Sequence, residues 1–248
     1  MKKILILSAL LSILRVASAQ AVTPPTLVSY GESAWNTSGT SKTVTGVTWQ
    51  TGDVIVAIAG TEDASTANVI PNVPTAAGLT FTSQQVTTTG STCAARVSTA
   101  VAASSGTSTV TDTMTSGTPH WGFGVWVFRG SDGVGNSTLQ ATSSLSTSLT
   151  SAAADSAVVW AVFDFNVGAL QTIVPTPTDT RQRVVDTGRY TLYVADLTDQ
   201  PSTGAVSYGL SGSGTGPFSI VALEVKGAAA GGGGSPAKRL SLLGVGGL

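Results

Sequence analysis

The chain has 248 residues, of which 42% are hydrophobic and only 10% are charged. Threonine and serine contribute 37 and 30 residues, and glycine adds 29. Disordered chains combine low hydrophobicity with high net charge, so this composition excludes wholesale disorder. A formal net charge of −1 argues against nucleic acid as a partner, and one Cys with one His excludes a zinc or disulfide scaffold. The composition is typical of a β protein.

The first 19 residues have the pattern of a secretory signal peptide. Lys2 and Lys3 precede an apolar run from residue 4 to 14, and Ala17-Ser18-Ala19 is a small-x-small cleavage motif. The apolar run is too short to span a bilayer. We therefore predict cleavage after Ala19 and export, with a membrane anchor or a misassigned start as the alternative. Loss of the three basic residues in this segment leaves nine basic and 13 acidic residues, a net charge of −4.

Strand signals dominate the chain from residue 20 to 226. β-branched and aromatic runs are separated by Gly, Pro, Ser, Asn and Asp clusters, and no window shows a 3.6-residue apolar stripe. The stronger predicted strands are 53–59, 94–102, 108–114, 121–128, 156–165, 180–185, 189–197, 205–210 and 218–225. Weaker ones are 26–30, 43–49, 79–84 and 145–150.

The order of these segments repeats along the chain. Four pairs of short segments match: Asn36-Thr-Ser with Asn136-Ser-Thr, Asp53-Val-Ile-Val with Asp155-Ser-Ala-Val, Ser108-Thr-Val-Thr with Gly204-Ala-Val-Ser, and 125–130 with 222–227. Their offsets lie between 96 and 102 residues, a period too long for a solenoid. This pattern predicts two related units of about 100 residues. Chance similarity among short Val/Thr strands is the alternative.

We predict an all-β fold, an antiparallel jelly-roll-like β-sandwich built from two related halves. The predicted divisions are a signal peptide (1–19), a first half (20–130), a second half (131–227), and a Gly-rich linker with a short C-terminal tail (228–248). The halves form either two sandwiches or one interlocked sandwich. Segments 121–128 and 156–165 are apolar on both faces, which indicates central strands covered on both sides by the other half or by another subunit.

Catalytic signals are weak throughout. His120 is the one histidine, no Gly-x-Ser-x-Gly elbow accompanies it, and we predict no enzyme activity. A glycan-cleaving enzyme would need two carboxylates beside a cleft, and Asp164, between Phe163 and Phe165, is the best single candidate. A solvated strand-end acid is the favoured interpretation of Asp164.

The sequence contains candidate residues for two other kinds of site. No metal site is predicted, although the predicted turns Asp132-Gly-Val-Gly-Asn136 and Asp196-Leu-Thr-Asp199 contain oxygen ligands that suit Ca²⁺. Sugar binding uses exposed aromatic rings, which makes Trp35, Trp49 and Tyr193 the candidate ligand-binding residues. The alternative interpretation is that each ring packs in the core. Cys93 is interpreted as a small buried hydrophobe rather than half of an intermolecular disulfide.

The chain resembles β-rich structural and surface proteins of tailed phages and related bacterial secreted proteins. The residues that carry this resemblance are the segments 51–59 and Val125-Trp-Val-Phe-Arg-Gly130, together with the Ser/Thr-rich strands between them. Both patterns return in the second half of the chain. The resemblance covers residues 26–227. It implies a β-sandwich acting in adhesion, virion decoration or glycan contact, and it supplies no catalytic residues. The signal peptide favours the secreted or surface-displayed bacterial branch over the virion.

The sequence therefore predicts a non-catalytic, surface-exposed structural or adhesive module. Its expected partners are cell-surface glycans or other copies of itself as a homo-oligomer, without nucleic acid and without a membrane span. The alternative function is that of a carbohydrate-binding protein that uses Trp35, Trp49 or Tyr193. The third possible function is that of a glycan-cleaving enzyme that uses Asp164 with another acid.

Overall fold

The computed structural model describes residues 22–62, 69–87, 93–141, 144–164, 170–186, 190–212 and 218–229. Within these ranges the side chains of Asn36, Glu62, Asp164, residues 182–186 and Tyr190 are not described. The predicted signal peptide and most of the predicted tail therefore lie outside the described residues. Across the described residues the chain forms strands and no helix, which confirms the all-β prediction.

Sixteen strands occupy the described ranges. They are β1 (Val22–Thr23), β2 (Thr26–Ser38), β3 (Ser41–Trp49), β4 (Val54–Glu62), β5 (Thr82–Val86), β6 (Cys93–Val101), β7 (Gly106–Thr113), β8 (His120–Arg129), β9 (Ser131–Gln140), β10 (Ser146–Thr150), β11 (Ser156–Asp164), β12 (Thr172–Val174), β13 (Asp179–Asp186), β14 (Tyr190–Gln200), β15 (Ala205–Ser211) and β16 (Phe218–Ala229).

The strands form two large and two small antiparallel sheets. One large sheet has the order β2-β8-β4-β6-β5, and the other has the order β9-β16-β11-β14-β13, with β1 also pairing with β16. The small sheets are the ribbon β3-β7 and the three-stranded sheet β10-β15-β12. Every pairing between named strands is antiparallel, although most of the paired strands are not neighbours in the chain.

Three apolar layers hold the four sheets in a stack. The middle layer lies between the two large sheets and joins side chains such as Val56 and Phe128 to Val159 and Val221. A second layer lies between the first large sheet and the ribbon β3-β7, and a third lies between the second large sheet and β10-β15-β12. Strands β8 and β11 are therefore buried on both faces, as their sequences predict.

The two large sheets arrange their strands in the same order, when each strand is counted by its place in its own half of the chain. β2, β8, β4, β6 and β5 occupy the positions that β9, β16, β11, β14 and β13 occupy in the second sheet. The repeated segments fall on corresponding strands, because 125–130 begins on β8 and 222–227 lies on β16. The ribbon β3-β7 and the pair β10-β15 correspond in the same way. Duplication of the chain stays a prediction from the sequence, and this equal order supports it.

Several elements differ from the sequence-based expectation. β9 covers the Gly-rich segment Asp132–Asn136, for which the sequence predicts a turn. Hydrogen bonding along β16 holds this segment extended although it lacks alternating apolar residues. Asp196 likewise lies within β14 rather than in a turn. β16 continues to Ala229, two residues into the predicted linker, because Ala228 and Ala229 pair with Thr23 and Val22.

Candidate binding faces

Hydroxyl side chains cover the outward surface of the ribbon β3-β7. Alternate residues of a strand point to opposite faces, so the apolar residues Val44, Val47 and Val110 turn inward to the core. The hydroxyl residues that alternate with them turn outward, and all but the half-buried Thr111 are exposed. We call this surface face one: Ser41, Thr43, Thr45 and Thr48 on β3, and Thr107, Thr109, Thr111 and Thr113 on β7.

Strand pairing arranges the hydroxyls of face one in rows. Ser41 lies opposite Thr113, Thr43 opposite Thr111, and Thr48 opposite Thr107. The Thr48 and Thr107 hydroxyl oxygens are 2.9 Å apart, which is hydrogen-bonding distance. Face one therefore offers regularly placed donors and acceptors next to methyl groups.

None of the outward residues of face one is charged, because both charged residues of these strands point inward. Lys42 is 7% exposed; its Nζ donates to the Ala34 carbonyl oxygen at 2.6 Å and to the Thr37 hydroxyl, and lies 5.5 Å from the centre of the Trp121 ring. Burial lowers the pKa of Lys42 to about 8. Asp112 is 1% exposed, and burial raises its pKa to about 7.

A similar face lies on the outward side of β10-β15-β12. Inward residues such as Leu149, Tyr208 and Leu210 join the third apolar layer. The outward hydroxyl side chains form face two: Ser146, Ser148, Thr150, Thr172, Ser207 and Ser211. All of these except the half-buried Ser146 are exposed, and Ala205 and Val174 complete the surface without adding charge.

An open cleft of about 650 Å³ adjoins face one at the end of β3, lined by residues 48–51 and 105–107. Trp49 contributes to the lining but is only 2% exposed. Its Nε1 donates to the Ser104 carbonyl oxygen at 2.9 Å, and its ring lies against Gly78 and Gly106. The cleft therefore presents mainly Thr, Ser and Gln groups rather than an aromatic platform.

The other two aromatic candidates are also buried. Trp35 packs in the middle apolar layer against Gly122 and Gly124, and its Nε1 donates to Glu32 Oε2 at 2.8 Å. Tyr193 is 1% exposed, and its hydroxyl accepts a hydrogen bond from the Gln171 backbone N–H at 2.9 Å. The structure does not bring Trp35, Trp49 and Tyr193 together, since each belongs to a different apolar layer.

The buried acids other than Asp112 have strong partners. Arg129 donates two hydrogen bonds to Asp53, and Arg181 pairs with Asp196, which also accepts from Trp126 Nε1. Glu224 accepts from three backbone N–H groups and from the Ser156 hydroxyl. These acids stabilise turns and sheet contacts. The side chain of Asp164 lies outside the described residues.

His120 and Cys93, the other residues considered in the sequence, each stand at the beginning of a strand. His120 is the first residue of β8, paired in register with Glu62 and Ser38. Cys93 is 1% exposed at the start of β6. Over the ranges that the structure describes, no three His, Cys, Asp or Glu residues group in a way that would hold a metal ion.

The sequence carried the signal for face one in the runs Ser41-x-Thr43-x-Thr45 and Thr107-x-Thr109-x-Thr111-x-Thr113. Exposed aromatic rings, the usual signal of a sugar site, do not point to these runs. In comparisons with known proteins, no family model matches the chain, and no curated protein or solved structure is significantly similar. Among the described residues there is no helix that is long and apolar enough to cross a bilayer.

Proposed function

We propose that this protein is an exported, non-catalytic adhesive module that binds uncharged, hydroxyl-rich polymer surfaces such as cell-surface polysaccharides. The observation that carries the proposal is face one, where eight outward hydroxyl residues on two paired strands include no charge. Uncharged polymers with many hydroxyls match such a surface, because each threonine both donates and accepts hydrogen bonds. Many weak contacts over a broad area then replace one deep pocket.

Two features of the fold support this mode of binding. Strand pairing holds the hydroxyls of face one in fixed positions, so that little ordering is needed when a polymer binds. The inward orientation of Lys42 and Asp112 removes the charges that would otherwise favour ionic ligands. We therefore expect binding to change little with ionic strength, unlike binding through charged groups.

The test is co-sedimentation of the purified mature chain with insoluble neutral polysaccharides, using cellulose, chitin and an insoluble α-glucan as probes. We expect saturable binding to at least one of them. Thr43→Val with Thr109→Val keeps the shape of face one and removes two hydroxyls. We expect binding about tenfold weaker, since each lost hydrogen bond is worth about 0.5–1.5 kcal/mol.

The matched control is Thr82→Val with Thr176→Val, two exposed threonines outside both faces, and it should bind as the wild type does. Absence of binding to all three probes contradicts the proposal. Release of reducing sugar would instead favour the glycan-cleaving alternative. Binding unaffected by loss of the face-one hydroxyls would favour an aromatic site, for which Trp35, Trp49 or Tyr193 would have to leave the core.

We further propose that the chain arose by duplication of a jelly-roll-like unit. The sheet orders β2-β8-β4-β6 with β3-β7, and β9-β16-β11-β14 with β10-β15-β12, support this assignment. Export is part of the proposal and rests on residues 1–19. N-terminal sequencing tests it: a start at Gln20 in the medium or on the cell surface is expected. An intact Met1 on purified phage particles would contradict export and favour a virion role.

A further inference from the structure

The two hydroxyl faces lie on opposite sides of the molecule. Face one covers the ribbon β3-β7 at one end of the four-sheet stack, and face two covers β10-β15-β12 at the other end. The two large sheets and three apolar layers separate them. Packed sheets lie about 10 Å apart, so the two faces are on the order of 30 Å apart. A single flat surface cannot touch both faces at once.

The two faces also share their chemistry. Face two contains six hydroxyl side chains without a charged residue among them, as face one contains eight. Ser148 lies directly opposite Ser207, and Thr172 opposite Ser211, so face two is ordered by strand pairing as well. An uncharged, hydroxyl-rich polymer that fits one face therefore meets similar groups on the other.

Contacts between the large sheets fix the relative orientation of the two faces. The middle apolar layer is continuous across both sheets. Polar contacts support it on several strands: Gln85 Nε2 donates to Ser137 Oγ at 3.0 Å, and Ser219 Oγ donates to the Cys93 carbonyl oxygen at 2.9 Å. The faces consequently cannot swing round to the same side.

We propose that the protein is bivalent and bridges two polysaccharide surfaces, with face one on one surface and face two on the other. This inference rests on the proposed function and adds a second site with opposed geometry. Because the faces are opposed, the second contact links separate particles instead of strengthening attachment to one surface. Bridging should also decline when excess protein covers every surface with singly bound molecules.

The experiment measures both co-sedimentation and turbidity with particles of whichever neutral polysaccharide binds. Two variants each add lysines to one face: Thr43→Lys with Thr109→Lys, and Ser148→Lys with Ser211→Lys. Long, hydrated side chains prevent close contact with the altered face. Thr82→Lys with Thr176→Lys adds the same charge elsewhere and serves as the control. Circular dichroism and melting curves establish that each variant is folded.

We expect the wild type and the control to clump the particles, with a maximum at intermediate protein concentration. The face-one variant should still co-sediment through face two, with affinity for the particles at least about tenfold below wild type, because face one supplies more of the hydroxyls. The face-two variant should bind within about threefold of wild type, and neither variant should clump the particles. Binding without clumping by the wild type would overturn bivalency and leave the proposed function standing. Clumping by either single-face variant would also overturn it, since bridging would then come from self-association. Absence of wild-type binding overturns the proposed function and this inference together.

Discussion

Gly60 on β4 lies directly against the aromatic ring of Phe163 on β11, which belongs to the other large sheet. A Cβ built at Gly60 would be 1.8 Å from Phe163 Cζ, far below van der Waals distance. Phe163 is fully buried in the middle apolar layer. Small and large residues in this layer are therefore matched across the two sheets.

Gly60→Ala should destabilise the protein. Overpacking of a close-packed core costs typically about 1–3 kcal/mol, because the ring and the backbone must both shift. Chemical denaturation measures the free energy of unfolding. Gly204→Ala is the matched control, since its Cβ would meet only Ser202 Oγ at 3.8 Å. Equal stability of the two variants would show that the sheets separate easily at Gly60.

Glu224→Gln should destabilise the turn before β11. The Glu224 carboxylate is fully buried and accepts from the backbone N–H groups of Asn136, Ala152 and Ala153. A glutamine amide would turn a donor toward these donors and leave at least one of them unsatisfied. We expect a loss of about 2 kcal/mol in the free energy of unfolding. Asp132→Asn, which alters an exposed ion pair with Lys226, should cost less than about 0.5 kcal/mol.

Asp112 should make stability depend on pH. Burial raises the pKa of its carboxyl from 3.8 to about 7, so the folded state holds a proton that the unfolded chain releases. The stability gained from that proton is complete below about pH 4 and is lost as the pH rises to about 7. Asp112→Asn should flatten this decline and raise the unfolding free energy above neutral pH by on the order of 4 kcal/mol. Asp199→Asn, at an exposed acid, should leave the wild-type profile unchanged.

Arg181 and Asp196 should be strongly coupled. Asp196 is fully buried and pairs with Arg181, and its Oδ2 also accepts from Trp126 Nε1 of the opposite sheet at 3.3 Å. Arg181→Leu leaves the buried Asp196 carboxylate without its ion-pair partner, which costs about 3–5 kcal/mol. The double variant Arg181→Leu with Asp196→Leu should recover much of that loss. A double-mutant cycle on denaturation midpoints measures the coupling, and simple additivity would contradict it.

The central strands could be predicted from the sequence, and some of the edges could not. β4, β8, β11 and β16 have apolar residues on both faces, a pattern that holds only in a covered strand. β9 has no such pattern, since its Gly-rich sequence is extended only through pairing with β16. Local sequence does not record that partner, which lies about 90 residues further along the chain.

The burial of the candidate aromatic residues could not be predicted from the sequence either. Trp35 lies in a polar stretch of β2, where nothing local indicates whether its ring points to solvent or to the core. Its place depends on Gly122 and Gly124 of β8, because a Cβ at Gly122 would lie 2.0 Å from the ring. Pairing of β2 with β8 creates that space, and no spacing within either strand reveals it. The hydroxyl faces, by contrast, follow from simple alternation.

The pairing of β1 with the end of β16 has a consequence for how the chain could be reconnected. Val22 lies opposite Ala229, and only Gly130 separates β8 from β9. A circular permutant that starts at Ser131, joins Ala229 to Val22 through a tight turn and ends at Arg129 would therefore keep every strand pairing. The order in which the ribosome makes the two halves would then be irrelevant to the architecture that they form.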